Sequence, residues 1–219
     1  MIFYDYWRSS SAWRVRIALH LKGIAFERRA VNLLGSGQHA PEFRALNPLG
    51  EVPVLVMPPD ESGAAPQVLA QSMAILGYLE ERHPTPSLLP AGSPWRRARA
   101  RQLAEMINSG IQPFQNLTLL HFLRDAAFAE PNRVPHEFNV RGLAAVEKLA
   151  LETTGTFLVG DAPTLPDLYL IPQLYGARRF GVDLSPYPTL LRVEAAASSL
   201  PAFEAARPER QTDAVPPGP

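Results

Sequence analysis

Between residues 83 and 94 the sequence reads His-Pro-Thr-Pro-Ser-Leu-Leu-Pro-Ala-Gly-Ser-Pro, four prolines in twelve residues. Proline lacks the amide proton and clashes with the preceding turn, so no helix runs through this stretch, and residues 84–94 read as a linker. The chain differs in kind on its two sides. Before the linker, short β-type runs at 2–6, 26–31, 52–56 and 67–70 alternate with helical ones, among them a first helix stopped by Lys22-Gly23. Pro58-Pro59-Asp60-Glu61-Ser62-Gly63 is the turn between the last two strands, and residues 72–82 form a helix with Ile75, Leu76 and Leu79 on one face. The order β-α-β-α-β-β-α predicts a small α/β domain over residues 1–83. Beyond the linker, strand signals vanish. Helical patterns at 95–124, 134–154, 165–180 and 188–200 predict an all-α domain over 95–206, with Thr164-Leu165-Pro166-Asp167 as a capping box. Residues 207–219 hold four prolines and no apolar periodicity, which reads as a mobile tail.

Apolar residues at 46% against 19% charged give enough material for a sizeable core and argue against global disorder. The formal net charge of zero speaks against nucleic acid or an anionic membrane as partner. The basic run Arg96-Arg97-Ala98-Arg99-Ala100-Arg101 reads as a solvated or subunit-facing helix surface. Cysteine is absent, which excludes disulfides, thiolate metal sites and a protein thiol nucleophile. No metal is assigned, and any sulfur chemistry must use a thiol brought in from outside. No apolar run approaches the ~18 residues of a membrane span. The start Met1-Ile2-Phe3-Tyr4-Asp5 lacks the basic and apolar parts of a signal peptide, so the expected location is cytoplasmic.

Ahead of the first helix stands Arg8-Ser9-Ser10-Ser11-Ala12-Trp13-Arg14-Val15-Arg16-Ile17-Ala18-Leu19. A strand that leads through serines into a helix gathers hydroxyls and free backbone N–H groups at one spot, which suits an anion; the plain alternative is a serine N-cap. Gln71-Ser72 opens a second helix with the same properties. The first run closely resembles the serine-plus-Trp-Arg-Val-Arg-Ile-Ala-Leu signature of zeta-class glutathione transferases. The resemblance continues through Ala45-Leu46-Asn47-Pro48, Glu51-Val52-Pro53, Gln71-Ser72, Arg82-His83-Pro84-Thr85-Pro86, Ile111-Gln112-Pro113-Phe114-Gln115-Asn116-Leu117 and Arg179-Phe180-Gly181-Val182-Asp183-Leu184. It spans nearly the whole chain. It implies the glutathione transferase fold, a thioredoxin-like α/β N-terminal domain followed by an all-α C-terminal domain, and a homodimer.

Glutathione, the implied cofactor, carries two carboxylates, an ammonium, a peptide backbone and a thiol. The resemblance assigns Gln71 and Ser72 to its γ-glutamyl carboxylate, and Gln38 to the glycyl carboxylate. Val52, before a cis Pro53, pairs with its backbone. Ser9 is the expected thiol activator, with Ser10 adjacent and open as the alternative. A free thiol has a pKa of ~8.5. A donated hydroxyl stabilises the thiolate by ~1.5–3 kcal/mol, and a helix N-terminus by ~0.5–2 kcal/mol. Together they lower the pKa by roughly one to three units. Ser11 stands where the family usually has Cys, a loss that related maleylpyruvate isomerases tolerate, and is expected near the sulfur.

The implied activity is cis–trans isomerisation of maleylacetoacetate, a small dicarboxylate, by reversible addition of the thiolate to the double bond. Holding a dianion and an enolate calls for arginine, and Arg8 and Arg179 match the family's candidates, with Arg178 beside the latter. Gln112 and Asn116, four apart on one face of the long helix, either line the ligand side, reach across a dimer, or make an interhelical contact. The Trp13-Arg14-Val15-Arg16 form is the commoner one on the maleylacetoacetate side of the resemblance, which implies that substrate over maleylpyruvate. General glutathione conjugation or dehalogenation, and a non-catalytic glutathione-binding role, are the remaining alternatives.

Overall fold

The computed structural model describes residues 1–59 and 65–215. It divides into two compact units, one of Met1–Pro86 together with the chain from Pro201 onward, the other of Ser87–Leu200.

In the first unit, the order is β1 (Ile2–Asp5), α1 (Ser10–Leu21), β2 (Glu27–Ala30), α2 (Pro41–Leu46), β3 (Val54–Met57), β4 (Gln67–Ala70) and α3 (Ser72–Arg82). The sheet runs β2-β1-β3-β4, with β1 and β2 parallel and both β1–β3 and β3–β4 antiparallel. Only the parallel pair needs a crossover, and α1 supplies it. Phe3 and Leu55 from the sheet, Val15, Ala18 and Leu19 from α1, and Ile75, Leu76 and Leu79 from α3 are all buried. Each large side chain among them contributes ~1.5–3 kcal/mol. The first helix holds a surprise. Every residue from Ala12 to Leu19 is buried, including Arg14 and Arg16. The third strand starts at Val54 and not at residue 52, since Pro53 has no N–H to give the ladder. Residues 60–63 of the expected turn lie outside the described residues.

The second unit holds α4 (Pro94–Gly110), α5 (Leu117–Asp125), α6 (Arg133–Ala150), α7 (Leu165–Arg179) and α8 (Pro188–Ser198). At its centre lies α7, buried without a break from Leu165 to Leu174. Leu103, Ala104 and Ile107 of α4 are fully buried as well. The capping box is present: Asp167 accepts the Thr164 N–H at 2.7 Å and the Thr164 hydroxyl at 3.1 Å, and also takes the Leu158 N–H at 2.9 Å. Among the described residues, no helix is long and apolar enough to cross a membrane.

Two expectations are corrected. The single helix over 95–124 is two helices, separated by a 3-10 turn at Gln112–Gln115. Pro113 lacks the amide proton that an unbroken helix needs there. Gln112 and Asn116 therefore do not share one helix face; Asn116 is the extended N-cap of α5, with ψ 141°. In the basic run, Arg99 is not a surface residue. It is buried and paired with Glu152, its guanidinium 5.4 Å from the Trp95 ring centroid. The chain past residue 200 returns to the first unit through α9 (Pro201–Ala205), a 3-10 turn at Pro208–Arg210 and a tie from Asp213 to Arg28 at 2.7 Å. The segment read from sequence as a mobile tail carries these contacts; residues 216–219 lie outside the described residues.

Candidate functional site

Sheet register decides which sequence motifs meet in the first unit. Tyr4 lies opposite Val54, and Val54 opposite Ala70. The chain leaving β1 toward Ser9, the chain entering β3 through Val52-Pro53, and the chain leaving β4 through Gln71-Ser72 consequently share one edge of the sheet.

Ser9 is the N-cap of α1 and accepts the Ala12 N–H at 3.2 Å. A hydroxyl has two lone pairs and one proton, so this cap leaves the Ser9 proton for another acceptor. The N-cap alternative and the anion-site reading are therefore compatible in one residue. Ser10 and Ser11 form the first turn behind it, half-buried like Ser9. Arg8, also half-buried, lies over the Trp7 ring at 5.1 Å.

The Val52-Pro53 peptide is cis, as the sequence resemblance implied. The turn before it is pinned by Asn47, whose amide donates to the Glu51 carbonyl at 2.8 Å and whose side-chain oxygen takes the Leu49 N–H at 3.2 Å. Gly50 has φ +66°, and a Cβ there would sit 2.9 Å from the Gln38 carbonyl oxygen. Only glycine suits both demands. This close approach sets the Gly37–His39 turn, with Gln38, beside the entry to β3. Gln38 Oε1 is buried and, among the described residues, has no hydrogen-bond partner.

Gln71 has φ +70°, a rarely populated conformation for a residue with a side chain. Its side chain makes no cap to α3; its amide lies 3.5 Å from Glu51 Oε2, linking it to the Val52 segment. Ser72 is buried at the head of α3, where Arg14 Nη1 donates to its Oγ at 3.2 Å. Arg14 and Glu51 lie within the sequence motifs, but nothing in their local pattern marks them for a role at the site.

In the second unit, Arg179 is exposed at the end of α7, its guanidinium 5.9 Å from the Phe180 ring centroid. Arg178 is engaged by Glu194 through two contacts of 2.6 and 2.5 Å, which weakens its claim as a substitute. Gln112 and Asn116 are both half-buried. The polar cluster of this region centres instead on Gln115: Gln173 donates to Gln115 Oε1 at 3.1 Å and to Asn139 Oδ1 at 2.6 Å.

Residues 8–82 match the family model of the glutathione S-transferase N-terminal domain. The chain is 43% identical to the maleylacetoacetate isomerase of Rattus norvegicus, over 97% of this chain and 94% of that protein. It is also similar to the holo structure of a maleylpyruvate isomerase described as a bacterial zeta-class glutathione transferase, with TM-score 0.90 and 41% identity, covering 98% of this chain and all of that one. The chain belongs to the zeta class of glutathione transferases. Within the zeta class it also resembles the maleylacetoacetate isomerase of Anaeromyxobacter dehalogenans, crystallised with dicarboxyethyl glutathione and citrate in its active site; TM-score is 0.88 and identity 52%, over 99% and 94% of the two chains.

Proposed function

We propose that this zeta-class chain catalyses the glutathione-dependent cis–trans isomerisation of maleylacetoacetate to fumarylacetoacetate, a step of aromatic amino-acid catabolism. The observation that carries the reading is the meeting, at one sheet edge, of the Ser9 cap, the cis Val52-Pro53 entry and the strained Gln71-Ser72 helix start. These residues fit glutathione. Two helix N-termini and hydroxyls suit carboxylates and a thiolate, and the Val52 segment offers backbone to a peptide.

When bound, glutathione supplies a thiolate that adds reversibly to the cis double bond and so frees it to rotate. Ser9 donates its hydroxyl proton to the sulfur, while its cap to Ala12 fixes its rotamer. The first turn of α1, with Ser10 and Ser11, adds the positive end of the helix dipole. Ser72 and Gln71 hold the γ-glutamyl carboxylate, Val52 pairs with the cysteinyl backbone and Gln38 serves the glycyl end. Arg8 and Arg179 are assigned to the carboxylates of the diacid, and Gln112 and Asn116 to the ligand side. The protein is further proposed to act in the cytoplasm as a two-fold homodimer. Exposed Trp95, 68% accessible at the start of α4, supports a contact there, which a light-scattering mass checks. The activity itself is tested by following maleylacetoacetate loss with and without glutathione.

A further inference from the structure

Residues 6–9 join β1 to α1 without belonging to either, so their backbone groups need other partners. Ser9 N–H donates back to the Tyr6 carbonyl at 2.9 Å. The peptide groups of Trp7, which is 6% exposed, are held from two sides. Arg16 Nη2 donates to the Trp7 carbonyl at 2.8 Å. The Trp7 N–H donates to Asp213 Oδ2 at 3.3 Å, across 206 positions of sequence.

Asp213 is not a stray tail residue. Its other oxygen accepts from Arg28 Nη2 at 2.7 Å, and the same nitrogen donates to Asp5. Asp5 in turn accepts from Arg16 Nη1 at 2.7 Å, and Arg16 Nε donates to the Ala206 carbonyl at 3.1 Å. Two carboxylates and two guanidinium groups thus form a neutral cluster whose side chains are between 0% and 23% exposed. Buried charges persist only when paired in this way. One end of the cluster is the returning C-terminal segment. The other is the peptide that precedes Arg8 and Ser9.

We propose that Asp213 is a positioning residue for the thiol site: by holding the Trp7 amide, it fixes the turn that presents Ser9 at the head of α1. This rests on the reading of Ser9 as thiol activator. A hydroxyl that stabilises a thiolate must be placed within a few tenths of an ångström, and small misplacements at a reacting centre cost large factors in rate. Losing Asp213 leaves the Trp7 N–H buried without that acceptor, and the turn gains freedom to shift.

The test titrates the thiol of glutathione bound to the full-length protein, read by thiolate absorbance, in the wild type, Ser9→Ala, Asp213→Ala and Asp213→Asn. Asp213→Ala is expected to raise the thiol pKa by about 0.5–1 unit and to lower kcat at neutral pH about 3- to 10-fold, with the glutathione KM moving less than about 2-fold. Asp213→Asn, isosteric and able to keep one acceptor, is expected to shift the pKa the same way by a smaller amount, and it carries the test if Asp213→Ala does not fold. A lowered melting temperature with thiol pKa and kcat unchanged would make Asp213 merely structural and overturn the proposal. No pKa change in Ser9→Ala would remove the underlying reading, and the proposal with it; a shift in Ser9→Ala without one in the Asp213 variants sinks the proposal alone.

Discussion

Arg14 reaches from the middle of α1 to the first residue of α3, its Nη1 donating to Ser72 Oγ at 3.2 Å. Because Ser72 accepts from Arg14, its own hydroxyl proton is left for an incoming anion. The buried guanidinium also adds positive charge beside a helix N-terminus. Arg14→Met is therefore expected to raise the glutathione KM about ten-fold, the loss of one charge-assisted contact, with a smaller change in kcat. Arg14→Lys, which keeps the charge but not the fork, should fall between. Unchanged KM values in both would separate Arg14 from the cofactor site.

Ser9→Ala removes the proposed donor to sulfur while leaving the helix. Activity at pH 7 is expected to fall about 10- to 100-fold. Raising the pH should recover part of it, because the thiol then ionises unaided. Near-normal activity in Ser9→Ala combined with a large loss in Ser10→Ala would move the role by one residue.

Burial pushes the Asp167 carboxyl up to about 6, against the N–H groups of Leu158 and Thr164 that favour its charged form. The folded protein then holds a proton that the unfolded chain, with its ordinary value of 3.8, has released. Stability from this carboxyl is thus fullest below about pH 4 and declines as pH rises through 6. Urea unfolding of the wild type and Asp167→Asn should give curves whose separation changes by on the order of 2–3 kcal/mol between pH 4 and pH 7. Parallel pH profiles would show that Asp167 does not titrate in this range.

The two-part layout, the order of strands and helices along the chain, and the capping box at Thr164 were legible because they are written in local signals: proline clusters, periodicity and cap residues. The break at Pro113 was equally local, but the apolar periodicity on both sides of it masked the missing amide. Arg14, Arg16 and Asp213 were not legible in this way. A charged residue reads as solvent-facing unless its partner is known, and these partners lie 58, 11 and 185 positions away. Within the site, Ser9, Gln71-Ser72 and Val52-Pro53 stood out as motifs. Their meeting at one edge depends on sheet register, which no single motif encodes.

Arg8→Met and Arg179→Met should each weaken dicarboxylate binding far more than glutathione binding, by about 10- to 100-fold in the inhibition constant of a small dicarboxylate. Methionine keeps much of the stem, so the effect follows charge. Normal turnover on maleylacetoacetate in both variants would end the assignment and direct attention to Gln112 and Asn116.

In one paired assay, the purified protein is given freshly prepared maleylacetoacetate or maleylpyruvate, with and without glutathione, and conversion to the trans product is followed. Rapid isomerisation of maleylacetoacetate that requires glutathione without consuming it, at a kcat/KM above that for maleylpyruvate, is the expected result. Stoichiometric consumption of glutathione, or no dependence on it, would contradict the isomerase reading; a preference for maleylpyruvate would contradict the substrate assignment.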